Sequence, residues 1–182
     1  TLTQTFGIVT RHRLDHFEQA RNGQAFDRQI RAKPRLQQRA GFGIIDRFKA
    51  GNAVALLENG VQLFPALCEA FDQATRSIQV ETYIFRLDAA GAKILHHLKL
   101  AALRGVRVRV MLDGFGRAQD EQAIQTELQS VGAHCRIYRP EPKRFTFRSF
   151  DFKRLRRLHR KIIVVDSRAA YIGGINFEDD YL

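Results

Sequence analysis

With 182 residues, 45% of them hydrophobic and 27% charged, the chain has enough apolar material for one domain with a buried core, and it is not a disordered tract. Its formal net charge of +11 is unevenly placed: ten Lys and Arg against four acids in residues 1–49, ten against two in 139–161, and ten against thirteen elsewhere. Two basic blocks on a slightly acidic body exclude a uniformly basic surface and point to polyanions, either nucleic acid or anionic lipid headgroups.

Residues 1–49 read as a polar, basic leader. From Arg11 to Arg39 the apolar positions Leu14, Phe17, Ile30 and Leu36 are scattered, and Asn22-Gly23 and Pro34 interrupt them, so this part is a weak helix or a linker. A domain is expected over 50–182. Ala53–Leu57 predicts a short strand, ended by Glu58-Asn59-Gly60. Leu63, Leu67, Ala70, Phe71 and Ala74 recur at helical spacing, and Ser77–Phe85 is rich in β-formers. Ala89–Leu103 places Ile94, Leu95, Leu98 and Ala102 on one helix side, with Gly105 as the stop. Val106–Leu112 alternates Val with Arg as a strand does, Glu121–Val131 is helical, and Ala133–Tyr138 is a further strand. After an irregular stretch containing Pro140 and Pro142, Leu158–Val165 and Ala169–Ile172 form a hairpin-like pair across Asp166-Ser167-Arg168. The alternation of strands and helices predicts an α/β fold with a parallel or mixed sheet flanked by helices. No stretch of 18 apolar residues occurs. Cys68 and Cys135, far apart and within apolar patterns, read as buried, reduced thiols, which suits a cytosolic face.

The chemistry is concentrated late in the chain. Alternate side chains of a strand share a face, so His159 and Lys161 point together while Arg160 and Ile162 point away. The β-branched run Ile162–Val165 behind them makes a rigid mount. Asp166 ends that strand, Gly173-Gly174 allows a close backbone approach, and Asn176 offers an amide donor. Each piece is common alone; the spacing His-x-Lys-x4-Asp-x6-Gly-Gly-x-Asn on a strand–turn–strand unit is specific.

This constellation resembles the HKD signature of the phospholipase D superfamily, in which the second glycine is often serine. Leu56–Gly60, Val80–Phe85 and Gly105–Gly114 are further similar to the N-terminal half of bacterial cardiolipin synthases, as is the basic, Phe-rich stretch before Leu158-His159-Arg160-Lys161. The similarity covers about residues 52–178 and implies a mixed, mostly parallel sheet flanked by helices, one half of a two-lobed enzyme. It implies a two-step phosphoryl transfer through a phosphohistidine, without metal or cofactor. In it His159 is the nucleophile or acid–base group, Lys161 and Asn176 (with Gly174) bind the phosphate, and Asp166 is the motif aspartate, acting structurally or electrostatically. The site needs two such motifs, and this chain has one. The second half is expected from a missing C-terminal part, or from a second chain about a two-fold axis. Thr1 at the start and the stop soon after Asn176 favour a piece of a longer protein.

Among the remaining features, Glu81 could pair with a histidine or lysine of the site, or equally with an Arg at a sheet end. Asp113-Gly114 follows a strand at its carboxyl end, where α/β sheets place ligands, although a turn is the commoner meaning. His96-His97 cannot share a helix face, so they make no metal pair. The block Lys143–Arg157 interleaves bases with phenylalanines. Its Arg144, Arg148, Lys153, Arg154, Arg156 and Arg157 are candidate contacts to an anionic membrane, each contributing on the order of 1 kcal/mol. The expected activity is phosphatidyl transfer between anionic phospholipids, at the cytoplasmic face of a bacterial inner membrane. The rivals are a homodimeric, single-motif phosphodiesterase acting on nucleic acid, and a catalytically silent half-domain that binds anionic membrane.

Overall fold

The computed structural model describes residues 5–10, 53–114, 118–140 and 157–182. Seven strands form one sheet: β1 (Thr5–Thr10), β2 (Ala53–Glu58), β3 (Ser77–Thr82), β4 (Arg107–Asp113), β5 (His134–Tyr138), β6 (Ile162–Val165) and β7 (Ala169–Gly173). Their order across the sheet is β2-β1-β7-β6-β3-β4-β5. β3, β4 and β5 pair in parallel, and the other four pairings are antiparallel. Following these pairings across the sheet, five of the seven strands run one way and only β1 and β6 run against them. The α/β class and the mixed, mostly one-directional sheet agree with the sequence reading.

Three helices, α1 (Asn59–Gln73), α2 (Ala89–Leu103) and α3 (Ala118–Ser130), follow the expected apolar periodicities. Leu63, Leu67 and Phe71 of α1, Ile94 and Leu98 of α2, and Ile124 and Leu128 of α3 share one core with Ile78, Val80, Val108, Val110, Ile163 and Tyr171. The Val/Arg alternation of β4 explains the partition: Val108 and Val110 point into the core, whereas Arg107 and Arg109 lie exposed on the other face. The opposite half of that outer face carries Val54, Leu56 and Ile172, all about half-exposed. Both cysteines are free and buried, and burial pushes the Cys135 thiol up to about 12.

α2 begins where Asp88 accepts a hydrogen bond from the Gly91 amide (3.0 Å), and Gly105, at φ +90°, stops it. Asp179, in a short 3-10 turn at Asp179–Tyr181, accepts from the Ala89 and Ala90 amides, and its own amide donates to Asp88. This reciprocal capping fastens the segment after Asn176 to the start of α2.

Two differences from the sequence reading matter. The polar leader contains a strand: β1 lies between β2 and β7, antiparallel to both. Its six residues, Thr5–Thr10, are short and stand beside a long polar tract, so no periodic signal marked them. The stretch Arg11–Arg39 lies outside the described residues. The second difference is that β6 covers only Ile162–Val165, so His159 and Lys161 precede the strand. β3 ends at Thr82, one residue past the Glu81–Ile162 pairing, and the ladder has no further partner there. The hairpin turn agrees with the sequence reading: Val165 pairs with Ala169 across Asp166-Ser167-Arg168, Asp166 and Ser167 hold positive φ, +53° and +56°, and the Arg168 amide donates to the Val165 carbonyl at 2.9 Å.

Candidate active site

β4 delivers the first anchor. Asp113, its last residue, is 1% exposed and accepts a 2.6 Å hydrogen bond from the Leu158 amide. Its other oxygen lies 3.5 Å from the Arg157 guanidinium. Gly114 lets the chain pass close beside Arg139: a Cβ there would stand 2.5 Å from the Arg139 carbonyl oxygen. The buried carboxylate thus fixes the backbone immediately before the motif, at buried Leu158.

His159 then projects outward, exposed, while Lys161 turns in and is only 4% exposed. The Lys161 Nζ sits 3.4 Å from each ring nitrogen of His159 and 3.3 Å from its carbonyl oxygen. Although the strand expected to carry them starts later, the two side chains meet as the spacing implied. Tyr83 forms the wall against both. Its ring centroid is 4.7 Å from that of His159, tilted by 48°, and the Lys161 ammonium lies 5.0 Å from the same ring. Burial lowers the Lys161 pKa from its ordinary 10.5, and the Glu178 carboxylate partly opposes the shift. The cluster presents a solvent-facing imidazole and a desolvated cation side by side. That pairing suits a nucleophile or acid–base group next to a non-bridging phosphate oxygen.

Asn176 is buried at the same end of the sheet. Its Nδ2 donates to Glu178 Oε1 (3.1 Å) and to the Tyr181 hydroxyl (3.2 Å), and its Oδ1 accepts a long bond from the Ile84 amide (3.4 Å). Both amide hydrogens are therefore engaged inside the protein, and binding a phosphate oxygen requires one of these bonds to be exchanged. Glu178 is itself held by Arg86, 2.9 Å away. Gly174 is exposed just after β7.

Asp166 does not join this cluster. It lies at the far end of β6, where its carboxylate accepts hydrogen bonds from the Thr75, Arg76 and Ser77 amides at 2.8–2.9 Å and from the Thr75 hydroxyl at 3.1 Å. Burial works against its ionisation, but these four bonds outweigh it and hold the carboxyl below its ordinary 3.8. Its position fits the structural side of the expected role. Glu81 meets neither His159 nor Lys161; it pairs with Arg160, Nε to Oε2, at 2.9 Å, with an alignment short of a hydrogen bond. Of the basic block, Arg157 is engaged with Asp113. Arg144, Arg148, Lys153, Arg154 and Arg156 lie outside the described residues.

Sequence reasoning did not single out Tyr83, Glu178, Arg86 or Tyr181. Tyr83 reaches His159 only through the pairing of β3 with β6, across more than seventy residues of chain. Glu178 was within reach, because a carboxylate two residues beyond Asn176 is a natural partner for a motif amide.

The family model for the phospholipase D-like domain of cardiolipin synthase matches residues 67–182. Cardiolipin synthase B of Salmonella typhi is 42% identical over 135 residues, which cover 74% of this chain and 32% of that protein. Cardiolipin synthase B of Escherichia coli (strain K12) is 39% identical over the same length and with the same coverage. The cardiolipin synthase of Geobacillus thermodenitrificans is 34% identical over 128 residues, covering 70% of this chain and 25% of that protein. The chain thus spans about a third or less of the length of these curated relatives. A crystal structure of Nuc, a phospholipase D family member from Salmonella typhimurium, aligns with TM-score 0.47 and 24% identity, covering 64% of this chain and 66% of that one. The matched region contains both the Tyr83 wall and the His159–Lys161 pair, and the chain belongs to the phospholipase D-like family of cardiolipin synthase domains.

Proposed function

We propose that this chain provides one half of the catalytic centre of a phosphatidyltransferase that makes cardiolipin-type lipid from anionic phospholipids at a membrane surface. The observation that carries this reading is the exposed His159 imidazole with the buried Lys161 ammonium 3.4 Å away. Similarity to cardiolipin synthases supports the choice of a lipid substrate. In the first step a ring nitrogen of His159 attacks the phosphorus of phosphatidylglycerol. The bond from phosphorus to the glycerol headgroup breaks, and a histidine from a second motif protonates the departing oxygen. In the second step that histidine takes the proton from the hydroxyl of another phosphatidylglycerol. The oxygen attacks phosphorus, the P–N bond breaks, and His159 is freed. Lys161 holds a non-bridging oxygen throughout, in a site dry enough to strengthen its charge. No helix among the described residues is long and apolar enough to cross a membrane. The basic, Phe-rich block just before His159 is the segment we assign to an anionic, cytoplasmic membrane face.

The test uses purified full-length protein and vesicles of phosphatidylglycerol, with and without phosphatidylethanolamine. Cardiolipin and the displaced headgroup alcohol are expected as products. Quenched reactions are expected to carry an acid-labile phosphatidyl adduct on protein, absent in His159→Ala. If neither vesicle yields cardiolipin, the reading fails.

A further inference from the structure

A cavity of about 160 Å³ opens at the amino-terminal ends of β3 and β4, on the sheet face away from the helices, lined by Arg76, Ser77, Gln79, Arg107, Arg109 and Ser167. The sheet itself assembles it. Ser77 pairs with Arg107 and Gln79 with Arg109 across the parallel β3–β4 ladder, so their side chains stand in adjacent rows on one face. Ser167 comes from the β6–β7 turn. The Asp166 carboxylate ties that turn to the amides of Arg76 and Ser77, so two walls are fixed relative to each other. Asp166 is the nearest negative group on these elements. It is engaged with backbone amides and a hydroxyl, and none of the three guanidinium groups forms an ion pair among the described residues.

Three like charges around one hollow repel each other, and no carboxylate among the described residues forms an ion pair with them. Guanidinium groups offer planar pairs of donors that match the oxygens of a phosphate, and two serine hydroxyls and an amide add neutral donors. The cavity accommodates one phosphate with its immediate substituent rather than a whole lipid. β4 separates it from the His159 end: its seven residues, at ~3.3 Å each, put Arg107 about 20 Å from Asp113. We propose that this cavity is a second oxyanion site, independent of the His159–Lys161 centre. It takes a single phosphate group, either free phosphate or the headgroup phosphate of an anionic lipid.

The experiment titrates inorganic phosphate into the chain at constant ionic strength and follows amide NMR shifts. Saturable shifts at Ser77, Gln79, Arg109 and Ser167 are expected. Arg107→Gln/Arg109→Gln, two exposed positions whose replacement leaves the core intact, should weaken them at least tenfold, whereas Lys161→Met should leave them unchanged. Sedimentation with phosphatidylglycerol vesicles against phosphatidylcholine vesicles separates the sources. Loss of vesicle binding in the double Arg variant assigns the site to a headgroup; retained vesicle binding with lost phosphate shifts assigns it to free phosphate. The proposal is overturned if phosphate moves only amides near Lys161 and Asn176, or if neither phosphate nor vesicle binding differs between wild type and the double variant. It is also overturned if a DNA oligonucleotide moves these amides while phosphate and phosphatidylglycerol do not.

Discussion

Lys161 carries a charge into a place where 4% of its surface meets solvent, and its ammonium faces an aromatic ring, an imidazole and, further off, the Glu178 carboxylate. A cation so placed is poised for an anionic ligand and costly without one. Replacing it with methionine, which keeps the apolar stem, is expected to lower turnover by roughly 10²–10³-fold, the range for removing one donor to a developing oxyanion, with the fold retained by circular dichroism. The lowered pKa also has a direction that can be measured. Loss of the proton removes the phosphate-binding charge, so the alkaline limb of activity should fall below 10.5. Glu178 raises the Lys161 pKa, and Glu178→Gln should therefore move that limb to still lower pH while preserving an acceptor for Asn176. A pH–rate profile that shifts upward, or stays put, contradicts this assignment of Glu178. His159, Lys161 and Asn176 were legible because a fixed spacing encodes them. Tyr83 was not, because its role exists only once β3 lies beside the segment leading into β6.

Among the elements, the β6–β7 hairpin is the piece whose sequence meaning shifted most. The motif grouped Asp166 with His159 and Lys161, yet a four-residue strand puts it at the opposite end, clamping Thr75–Ser77. A spacing rule reports that residues belong to one unit; it does not say which end of the unit each serves. Asp166→Asn is expected to cost about 2 kcal/mol at neutral pH, the scale of a charge-assisted hydrogen bond discounted for partial exposure. Because the folded-state pKa lies below the ordinary 3.8, this stabilisation is fully present above that pH and is lost as pH falls through the folded value. Urea denaturation at pH 7 and at pH 3 should show the gap between wild type and variant narrowing in acid. The helices and β2–β5 were readable to within a few residues from apolar periodicity. β1 was not, since six residues in a polar leader give too short a pattern to declare a partner.

For the molecule as a whole, one motif places one exposed imidazole and one buried ammonium at one end of a sheet. A displacement at phosphorus that needs both an attacking and a proton-donating group is incomplete on this surface. A preparation shown by ultracentrifugation to be monomeric is therefore expected to show no turnover of phosphatidylglycerol. Addition of a polypeptide carrying a second His-x-Lys-x4-Asp motif, or dimerisation, should restore it. Turnover by the isolated monomer would overturn the half-site reading. The fold class was legible from the alternation of strands and helices. The direction of β1 and β6 against the other strands was not, because direction depends on which distant strands become neighbours.

Thr10 and Ala53 are register partners in the β1–β2 ladder. The two strand ends that flank the 42 residues from 11 to 52 are therefore held side by side in the sheet. The length of a connection weighs only logarithmically on stability, so the β1–β2 ladder places little demand on how long the intervening sequence is. It holds ten Lys and Arg against four acids, a net +6 out of the chain's +11. A strand pair that closes on itself can accept exchange of such a cargo. Substituting an Asn-Gly turn for residues 11–52 should keep the thermal midpoint within a few degrees while removing more than half of the net charge. The fold and the greater part of the molecule's electrostatic character are thus written in separable stretches, free to diverge independently.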